Sequence, residues 1–320
     1  MIINKHEPMV PLVCIVVLNY EGRDHLGYCL PSLAQTTYSN FNLLVVDNAS
    51  TDDSPGMVAE LCPQAQLLMS DTNRGWSGGN NLAICTALQM GARYIVLANN
   101  DIRVDPRWVQ MAVQVAEQDE GLGVIGFDIF EPQPDSEDRD AGFEQASAIW
   151  KELQISYPKY VGGMAMFVRA ELFERIGLFD EGFFAYGEEN DFQIRARKAG
   201  YKVVAVNVPV WHHGQASFSK IPMRAARLQT RNNIQLLIKH SSLKQIIHSG
   251  LRHVRERCLP ARSEPTLSPV ERRLRSSNFI IRLGLLLDGF FWNLLHLPNT
   301  LRRRREDNQR VELARRLFNG

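Results

Sequence analysis

The sequence is poor in cysteine and has almost no net charge. Its 320 residues include five cysteines, and none of them forms a CxxC arrangement. This argues against a disulfide framework or a zinc site and favours buried thiols in a reducing compartment. The N-terminus lacks the charged-then-apolar pattern of a secretion signal, so we expect a cytoplasmic protein. With 45% hydrophobic residues, the chain can bury a substantial core.

The net charge of +1 conceals two oppositely charged parts. Residues 1–218 carry 15 Lys and Arg against 28 Asp and Glu, whereas residues 219–320 carry 21 against 7. We therefore predict an acidic domain over 1–218 that binds a cation or a polar ligand. Residues 219–320 are predicted to be a basic helical extension that contacts an anionic surface. A solvated basic tail is the alternative interpretation of that extension.

Short apolar stretches alternate with helical patterns in the first half of the chain. Strands are predicted near 10–20, 42–50, 65–70 and 92–101, and helices near 23–36, 53–61, 79–90 and after Asp105-Pro106, where Asp105 would cap the helix. Nearly unbroken apolar strands of this kind predict an α/β fold with a mostly parallel sheet covered by helices. Residues 131–158 show no periodicity and are predicted to be a flexible surface loop.

Polar side chains follow three of the predicted strands at the point where each strand ends. Asn19 follows the first strand, Asp47 the second, and Asn99-Asn100-Asp101 the fourth. Any one of these clusters could be a helix cap. Ligands in such sheets bind beyond the carboxyl ends of the strands, so the three clusters together predict a site there.

Three further segments carry candidate site residues. Asn73 and Gly75 begin a glycine-rich stretch before a predicted helix, which suits a diphosphate or a simple tight turn. Glu188, Glu189 and Asp191 lie together at another predicted helix start. There they could complement the helix dipole or supply a general base, with Arg195 orienting Asp191 from the same face. His212 follows a strand and is interpreted as either structural or metal-binding.

Taken in order, these motifs resemble the family 2 glycosyltransferases with the GT-A fold, in particular their rhamnosyltransferase-like branch. The resemblance covers roughly residues 10–240. It rests on VCIVVLNYEG, LLVVDNASTDDS, NRGWSGGNN, LANNDIRVD, YVGGMAMFVRAELFERIGLFDEGFFAYGEENDFQIRARKAGY and WHHGQAS.

The resemblance implies an inverting transfer of a sugar from a nucleotide-diphosphate donor, assisted by Mg²⁺ or Mn²⁺. It implies that Asp47 binds the pyrimidine base and that Glu189 is the catalytic base with Asp191 as its acidic companion. The segment Asn99-Asn100-Asp101 takes the place of the family's DxD metal motif, so we expect Asp101 to bind the cation directly and the uncharged Asn99 to contribute less. The implied nucleotide-sugar-binding residues are Asn19, Asp47, Asn73, Gly75, Asn99 and Asn100, and the implied metal ligands are Asp101 and His212.

Basic helices are predicted after residue 219, near 223–240, 242–258 and 270–296, with a linker at 259–269. Residues 279–298 are rich in Leu, Phe and Trp but contain Arg282, Asp288 and His296, which argues against a membrane-spanning helix. Followed by Arg residues at 302–305, they predict an amphipathic segment on an anionic membrane surface. Packing against the rest of the chain or against a second subunit is the alternative. We expect no nucleic-acid binding, because no aromatic platform accompanies the basic residues.

We therefore expect an enzyme on the cytoplasmic face of a membrane. It would add a sugar, for example rhamnose from a dTDP donor, to a surface polysaccharide or its lipid-linked precursor. The alternative hypothesis is a non-catalytic nucleotide-sugar-binding or carbohydrate-binding homologue that acts as a scaffold in a membrane assembly.

Overall fold

Buried aliphatic residues form a nine-stranded sheet at the centre of the computed structural model, which describes residues 10–131, 141–214, 222–246, 248, 249 and 278–319. The predicted boundary at 218/219, the linker 259–269 and most of the predicted helix 242–258 lie outside these residues. The strands are β1 Val13–Asn19, β2 Phe41–Asp47, β3 Gln66–Met69, β4 Tyr94–Asn99, β5 Ile102–Val104, β6 Leu122–Phe130, β7 Ile155–Ser156, β8 Ala165–Arg169 and β9 Lys202–His212.

The sheet is parallel in its first half and mixed in its second. Its order is β3-β2-β1-β4-β8-β6-β9-β5, with β7 paired to β9. The strands β3, β2, β1 and β4 run parallel, as predicted, so their carboxyl ends share one edge. Beyond them, β8 lies antiparallel to both β4 and β6. The α/β prediction is confirmed, with a mixed sheet.

Helices cover both faces of this sheet. They are α1 Arg23–Ala34, α2 Ser54–Leu61, α3 Gly75–Gln89, α4 Trp108–Gln118, α5 Ala141–Ile149, α6 Ala170–Ile176, α7 Glu188–Lys198, α8 Pro222–His240 and α9 Phe279–Asn319. Successive side chains of a strand point to opposite faces, and β1 shows the result. Val13, Ile15 and Val17 pack in the cluster that contains α1 and α4, whereas Cys14 and Val16 pack with α3, α6 and α7.

Two predicted helix starts were wrong by several residues. The helix predicted at 79–90 begins at Gly75, because the amide of Trp76 donates to the carbonyl of Phe184 and starts the helix earlier. The helix predicted to open at Asp105-Pro106 begins at Trp108. Asp105 instead accepts hydrogen bonds from the backbone and the guanidinium of Arg107, so it closes the turn before the helix.

Two further segments are more regular than predicted. Within the predicted loop 131–158, residues 141–149 form α5 and 155–156 form β7, while 132–140 lie outside the described residues. Phe143 is buried and Glu144 pairs with Arg103, contacts that a local pattern does not reveal. The last helix does not end at 296 but continues through Pro298 to Asn319, so the arginines at 302–305 are helical. Tertiary contacts hold it there, since Arg304 donates to two carbonyls of the α8 region.

The C-terminal helix α9 packs against α8 and against α6 and α7. Polar residues of α9 face α8. Asp288 accepts hydrogen bonds from Arg227 and Arg231, and Asn293 donates to the carbonyl of Arg231. The opposite face of α9 exposes large apolar side chains, among them Phe290, at 56% exposure, and Leu295, at 79%.

Candidate functional site

The strand-end clusters predicted from the sequence meet in one hydrogen-bonded chain. Asn100 donates through Nδ2 to Asn19 Oδ1 over 2.9 Å, and Asn19 donates to Asp47 Oδ1 over 3.0 Å. All three side chains are buried. Because β1 lies between β2 and β4, Asn19 can reach both neighbours and lock the three strand ends together.

The Asp47 carboxylate is used inside the protein. One oxygen accepts from Asn19, and the other accepts from the backbone amide of Ser50 over 3.0 Å. The side chain has no exposed surface. Direct contact with a pyrimidine base, as the resemblance implies, would require one of these hydrogen bonds to be exchanged.

Asn48 and Asn73 fix the turn that leads into α3. Asn73 Oδ1 accepts from Asn48 Nδ2 over 3.1 Å and from the amide of Gly75 over 2.9 Å. Gly75 has a φ of +70°, and a Cβ there would lie 2.3 Å from the carbonyl oxygen of Phe184. Only glycine permits that close approach. Asn73 and Gly75 therefore lie at the same edge as Asp47, as the sequence predicted for nucleotide-binding residues.

Trp76 links the α3 turn to the candidate metal motif. Its Nε1 donates to Asn99 Oδ1 over 3.2 Å. A Cβ built on Gly163 would lie 3.2 Å from the Trp76 ring and 3.5 Å from the Cβ of Glu189. The indole and the glutamate therefore both lie next to Gly163, which has no side chain. The sequence predicts a ligand-binding role for the glycines of this segment, but the part played by Trp76 is visible only in the structure. A large aromatic residue set among three glycines was the signal available.

Asp101 and His212 lie side by side at the ends of β4 and β9. His212 Nε2 is 3.4 Å from Asp101 Oδ1, and His212 Nδ1 is 3.7 Å from Glu131 Oε1. Burial favours the neutral imidazole, but the neighbouring carboxylates of Asp101 and Glu131 outweigh burial and raise the pKa of His212 to about 9. Burial likewise opposes ionisation of Asp101, yet His212 holds the pKa of that carboxyl below its ordinary value.

The donors around His212 fit a divalent cation that a bound ligand helps to hold. Within the described ranges, no group of three or more His, Cys, Asp or Glu side chains is arranged as a ready metal cage. Asp101 and His212 supply one carboxylate and one imidazole, and the Nδ1 of the buried His212 has no hydrogen-bond partner among the described atoms. A hard cation would complete its oxygen shell from phosphate and water.

The first turn of α7 carries two glutamates whose pKa values are raised. Burial raises the pKa of Glu189, whose Oε2 accepts from the amide of Gly187 over 2.9 Å. Burial, followed by the nearby charge of Glu189, raises the pKa of Glu188 well above its ordinary value. Glu188 is almost fully buried, whereas Glu189 remains partly exposed. Glu189 is thus the one of the two that a ligand can reach.

Asp191 faces away from this opening into a buried ionic cluster. Arg195 Nε lies 2.9 Å from one of its oxygens, and Lys239 Nζ and His240 Nε2 lie 2.7 and 2.8 Å from the other. Burial alone would raise the pKa of Asp191, but the charges of Arg195 and Lys239 and the hydrogen bond from His240 hold it far below its ordinary value. The predicted pairing of Asp191 with Arg195 is present, and it joins α7 to α8.

The sequence of the chain is similar to those of enzymes that transfer sugars. The family model for glycosyl transferase family 2 matches residues 13–176, and one described as the N-terminal domain of galactosyltransferase matches residues 145–216. An N-acetylglucosaminyl-diphospho-decaprenol L-rhamnosyltransferase of Mycobacterium tuberculosis is 25% identical over 67% of this chain and 80% of its own. A low-salt glycan biosynthesis hexosyltransferase, Agl10 of Haloferax volcanii, is 24% identical over 65% of this chain and 69% of its own.

Solved structures share the fold at much lower sequence identity. The structure of residues 1–349 of S. aureus TarS is 14% identical with a TM-score of 0.53, covering 96% of this chain and 91% of that one. A mannosyltransferase from Pyrobaculum calidifontis, solved with GDP-Man and Mn²⁺, is 17% identical with a TM-score of 0.53, covering 98% and 88%. These neighbours support the GT-A architecture of a sheet flanked by helices.

Proposed function

Because the chain belongs to glycosyl transferase family 2 and is a glycosyltransferase, we propose that it transfers a sugar from a nucleotide-diphosphate donor to a saccharide hydroxyl with inversion at the anomeric carbon. The observation that carries this proposal is the meeting of Glu189, Trp76 and Asn99 around Gly163. It brings a partly exposed carboxylate of raised pKa to the edge where the strand-end residues converge.

The donor nucleotide binds along the edge formed by β1, β2 and the start of α3. Asn19, Asn73 and Gly75 line this edge, and Asp47 holds it in shape through Asn19 and Ser50. The N-terminus of α3 lies at this edge, and the positive end of its helix dipole favours a diphosphate there, while the amides of Gly75 and Trp76 donate to Asn73 and Phe184 within the protein. Asn100 stabilises the same edge through its hydrogen bond to Asn19. Nucleotide-sugar complexes of the structural neighbours, with UDP-GlcNAc in TarS and GDP-Man in the mannosyltransferase, support this assignment.

Asp101 and His212 would hold a Mg²⁺ or Mn²⁺ ion beside that diphosphate, with Asn99 as an uncharged neighbour. When bound, the cation neutralises the charge that develops on the diphosphate as it leaves. The low pKa of Asp101 keeps its carboxylate ionised, and His212 would release its proton on binding the cation, because a metal binds the neutral imidazole. Glu131 orients the far side of the His212 ring, at 3.7 Å from Nδ1.

Glu189 acts as the general base. It takes the proton of the acceptor hydroxyl as that oxygen bonds to the anomeric carbon, while the bond from the anomeric carbon to the diphosphate breaks on the opposite face. A base works best when its pKa approaches the working pH, and burial moves the pKa of Glu189 in that direction. Asp191 supports it indirectly, because its buried ion pairs fix α7 in place.

The acceptor we propose is a lipid-linked saccharide at the cytoplasmic face of a membrane, with rhamnose from a dTDP donor as the first sugar to test. The rhamnosyltransferase relative, which is named for an N-acetylglucosaminyl-diphospho-decaprenol acceptor, supports both choices. Among the described residues, one helix, Phe279–Leu317, is long and apolar enough to cross a membrane, although buried core helices pass the same test. Its polar face is occupied by α8, so we propose that its exposed apolar face lies on the membrane.

The test is a donor screen with the full chain and a matched pair of variants. Release of nucleoside diphosphate from UDP-, dTDP- and GDP-sugars is measured with Mn²⁺ or Mg²⁺. Glu189→Gln removes the base without changing size, whereas Glu174→Gln makes the same change at an exposed position on α6. We expect Glu189→Gln to lower kcat about 100-fold or more with nucleotide binding retained, because a general base contributes about 10²–10⁴-fold.

Each outcome has a defined meaning. Robust turnover by Glu189→Gln would exclude Glu189 as the base. An unchanged rate in Glu174→Gln is expected, and a loss there as large as in Glu189→Gln would point to a nonspecific effect of the substitution. If the wild-type chain binds nucleotide but turns over no donor, the scaffold hypothesis replaces the catalytic one.

A further inference from the structure

A short turn before α7 carries unusual backbone geometry. Residues 183–187, called the 183–187 turn below, connect a 3-10 turn at Glu181–Phe183 to Glu188. Phe184 has a φ of +58°, Tyr186 of +72° and Gly187 of +97°. Residues other than glycine rarely adopt a positive φ, so the surrounding structure must hold Phe184 and Tyr186 in this conformation.

The 183–187 turn connects the donor edge to the base. The carbonyl of Phe184 accepts the amide of Trp76 over 2.6 Å, at the start of α3. The amide of Gly187 donates to Glu189 Oε2 over 2.9 Å. A shift of this turn therefore moves both the helix that faces the diphosphate and the carboxylate that takes the proton.

One side chain of α8 binds three carbonyls of this turn. Asn232 Nδ2 donates to the carbonyls of Phe183 and Ala185, each over 2.8 Å, and to that of Tyr186 over 2.7 Å. Asn232 is buried, so water does not compete for these bonds. The two hydrogens of one amide are shared among three acceptors, which fixes their relative positions.

We propose that Asn232 is a positioning residue for the transfer reaction, and that it sets the geometry of Glu189 and the α3 N-terminus by fixing the 183–187 turn. This rests on the proposed role of Glu189. The α8 helix lies outside residues 13–176 and 145–216, which the two family models match, whereas the 183–187 turn and Glu189 lie inside the second of these regions. Asn232 itself touches neither substrate nor reacting atoms.

A second buried asparagine gives a matched control. Asn293 of α9 is also buried, and its Nδ2 donates to the carbonyls of Arg231 and Gly289 over 2.9 and 2.8 Å. Both asparagines donate to backbone carbonyls, but those of Asn232 belong to the 183–187 turn, whereas those of Asn293 belong to α8 and α9. Asn232→Asp and Asn293→Asp are isosteric and both replace an amide donor by a carboxylate oxygen.

The experiment compares these two variants in the full chain by steady-state kinetics with the best nucleotide sugar of the donor screen, and by hydrogen exchange. Misplacement of a reacting group by about 1 Å can reduce the rate roughly 100-fold, so we expect Asn232→Asp to lower kcat about 100-fold relative to Asn293→Asp. We expect KM for the donor to change much less. Amides of residues 184–189 should exchange faster in Asn232→Asp only. Asn232→Ser, which leaves room for water, replaces Asn232→Asp if the aspartate variant does not fold.

Equal kcat values for the two variants at comparable thermal stability would overturn the proposal. So would unchanged exchange at residues 184–189 in Asn232→Asp and Asn232→Ser. If the wild-type chain turns over no nucleotide sugar, the proposed function fails, and the exchange comparison still decides whether Asn232 holds the turn.

Discussion

Replacing Lys239 by methionine removes the cation at the centre of the buried ionic cluster. Lys239 Nζ lies 2.8 Å from Asp180, 2.7 Å from Asp191 and 2.8 Å from Asp307, and its side chain has no exposed surface. These carboxylates come from three places: the residue before the 3-10 turn, α7 and α9. Methionine fills a similar volume without charge, so the substitution tests the ion pairs rather than the packing.

The expected loss follows from which carboxylates keep a partner. Asp191 retains Arg195 and His240, and Asp180 retains Arg303. Breaking a buried ion pair from one side typically destabilises a protein by about 3–5 kcal/mol. Asp307 keeps Arg195 at 3.9 Å, so each of the three carboxylates retains a cationic partner and we expect the lower end, about 3 kcal/mol. At roughly 2–4 °C per kcal/mol, Tm should fall by about 6–12 °C.

Thermal unfolding followed by circular dichroism measures this loss. Lys202→Met is the matched control, because Lys202 also lies 2.7 Å from a carboxylate, that of Asp119, but both side chains are substantially exposed. Exposed ion pairs are screened by water, so we expect no resolvable change in the Tm of that variant. If Lys239→Met melts at the wild-type temperature, the buried cluster does not stabilise the packing of α7, α8 and α9.

Two further predictions concern acid and membranes. The pKa of Asp191 in the folded protein lies far below the ordinary value of about 3.9, so the stability that its ionised form contributes is present above about pH 4 and is lost as the pH falls below that. The urea midpoint of Asp191→Asn should therefore fall less between pH 5 and pH 3 than that of the wild type. Parallel curves for the two proteins would show that Asp191 is not the responsible group. The double variant Phe290→Glu/Leu294→Glu should no longer sediment with anionic liposomes. Leu313→Glu, on the same helix but away from the apolar segment 279–298, should still sediment. Equal sedimentation of the double variant and Leu313→Glu would contradict the proposed membrane face.

Local sequence was sufficient to predict the helices and strands that have a clear hydrophobic pattern of their own. The predicted helix near 223–240 corresponds to α8 at Pro222–His240, and the predicted strand near 42–50 overlaps β2 at Phe41–Asp47. Hydrophobic periodicity reflects the faces that one element buries, so it can be recognised without knowing the partner. The α5 helix has no such strong pattern and forms because Phe143 and Glu144 find partners elsewhere in the fold.

The strand-end site could be predicted because parallel strands bring their carboxyl ends to one edge whatever their order. Asn19, Asp47 and Asn100 were named on that basis, and the structure joins them by hydrogen bonds. Which atoms remain available to a ligand could not be predicted. The burial of both Asp47 oxygens depends on Asn19 and on the backbone of Ser50.

By itself, the sequence determined the family, the α/β fold class and the edge of the sheet where polar groups gather. Only the tertiary structure gave Glu189 and Asp191 different environments; they lie two positions apart in the first turn of α7, so their side chains point to different sides of the helix. The difference comes from α8, because Lys239 and His240 draw Asp191 into a buried cluster while Glu189 stays on the open side. Lys239 and His240 lie about fifty positions from Asp191 in the chain. The physical reason is that a buried carboxylate needs cationic partners, and these reach Asp191 only when α8 packs against α7.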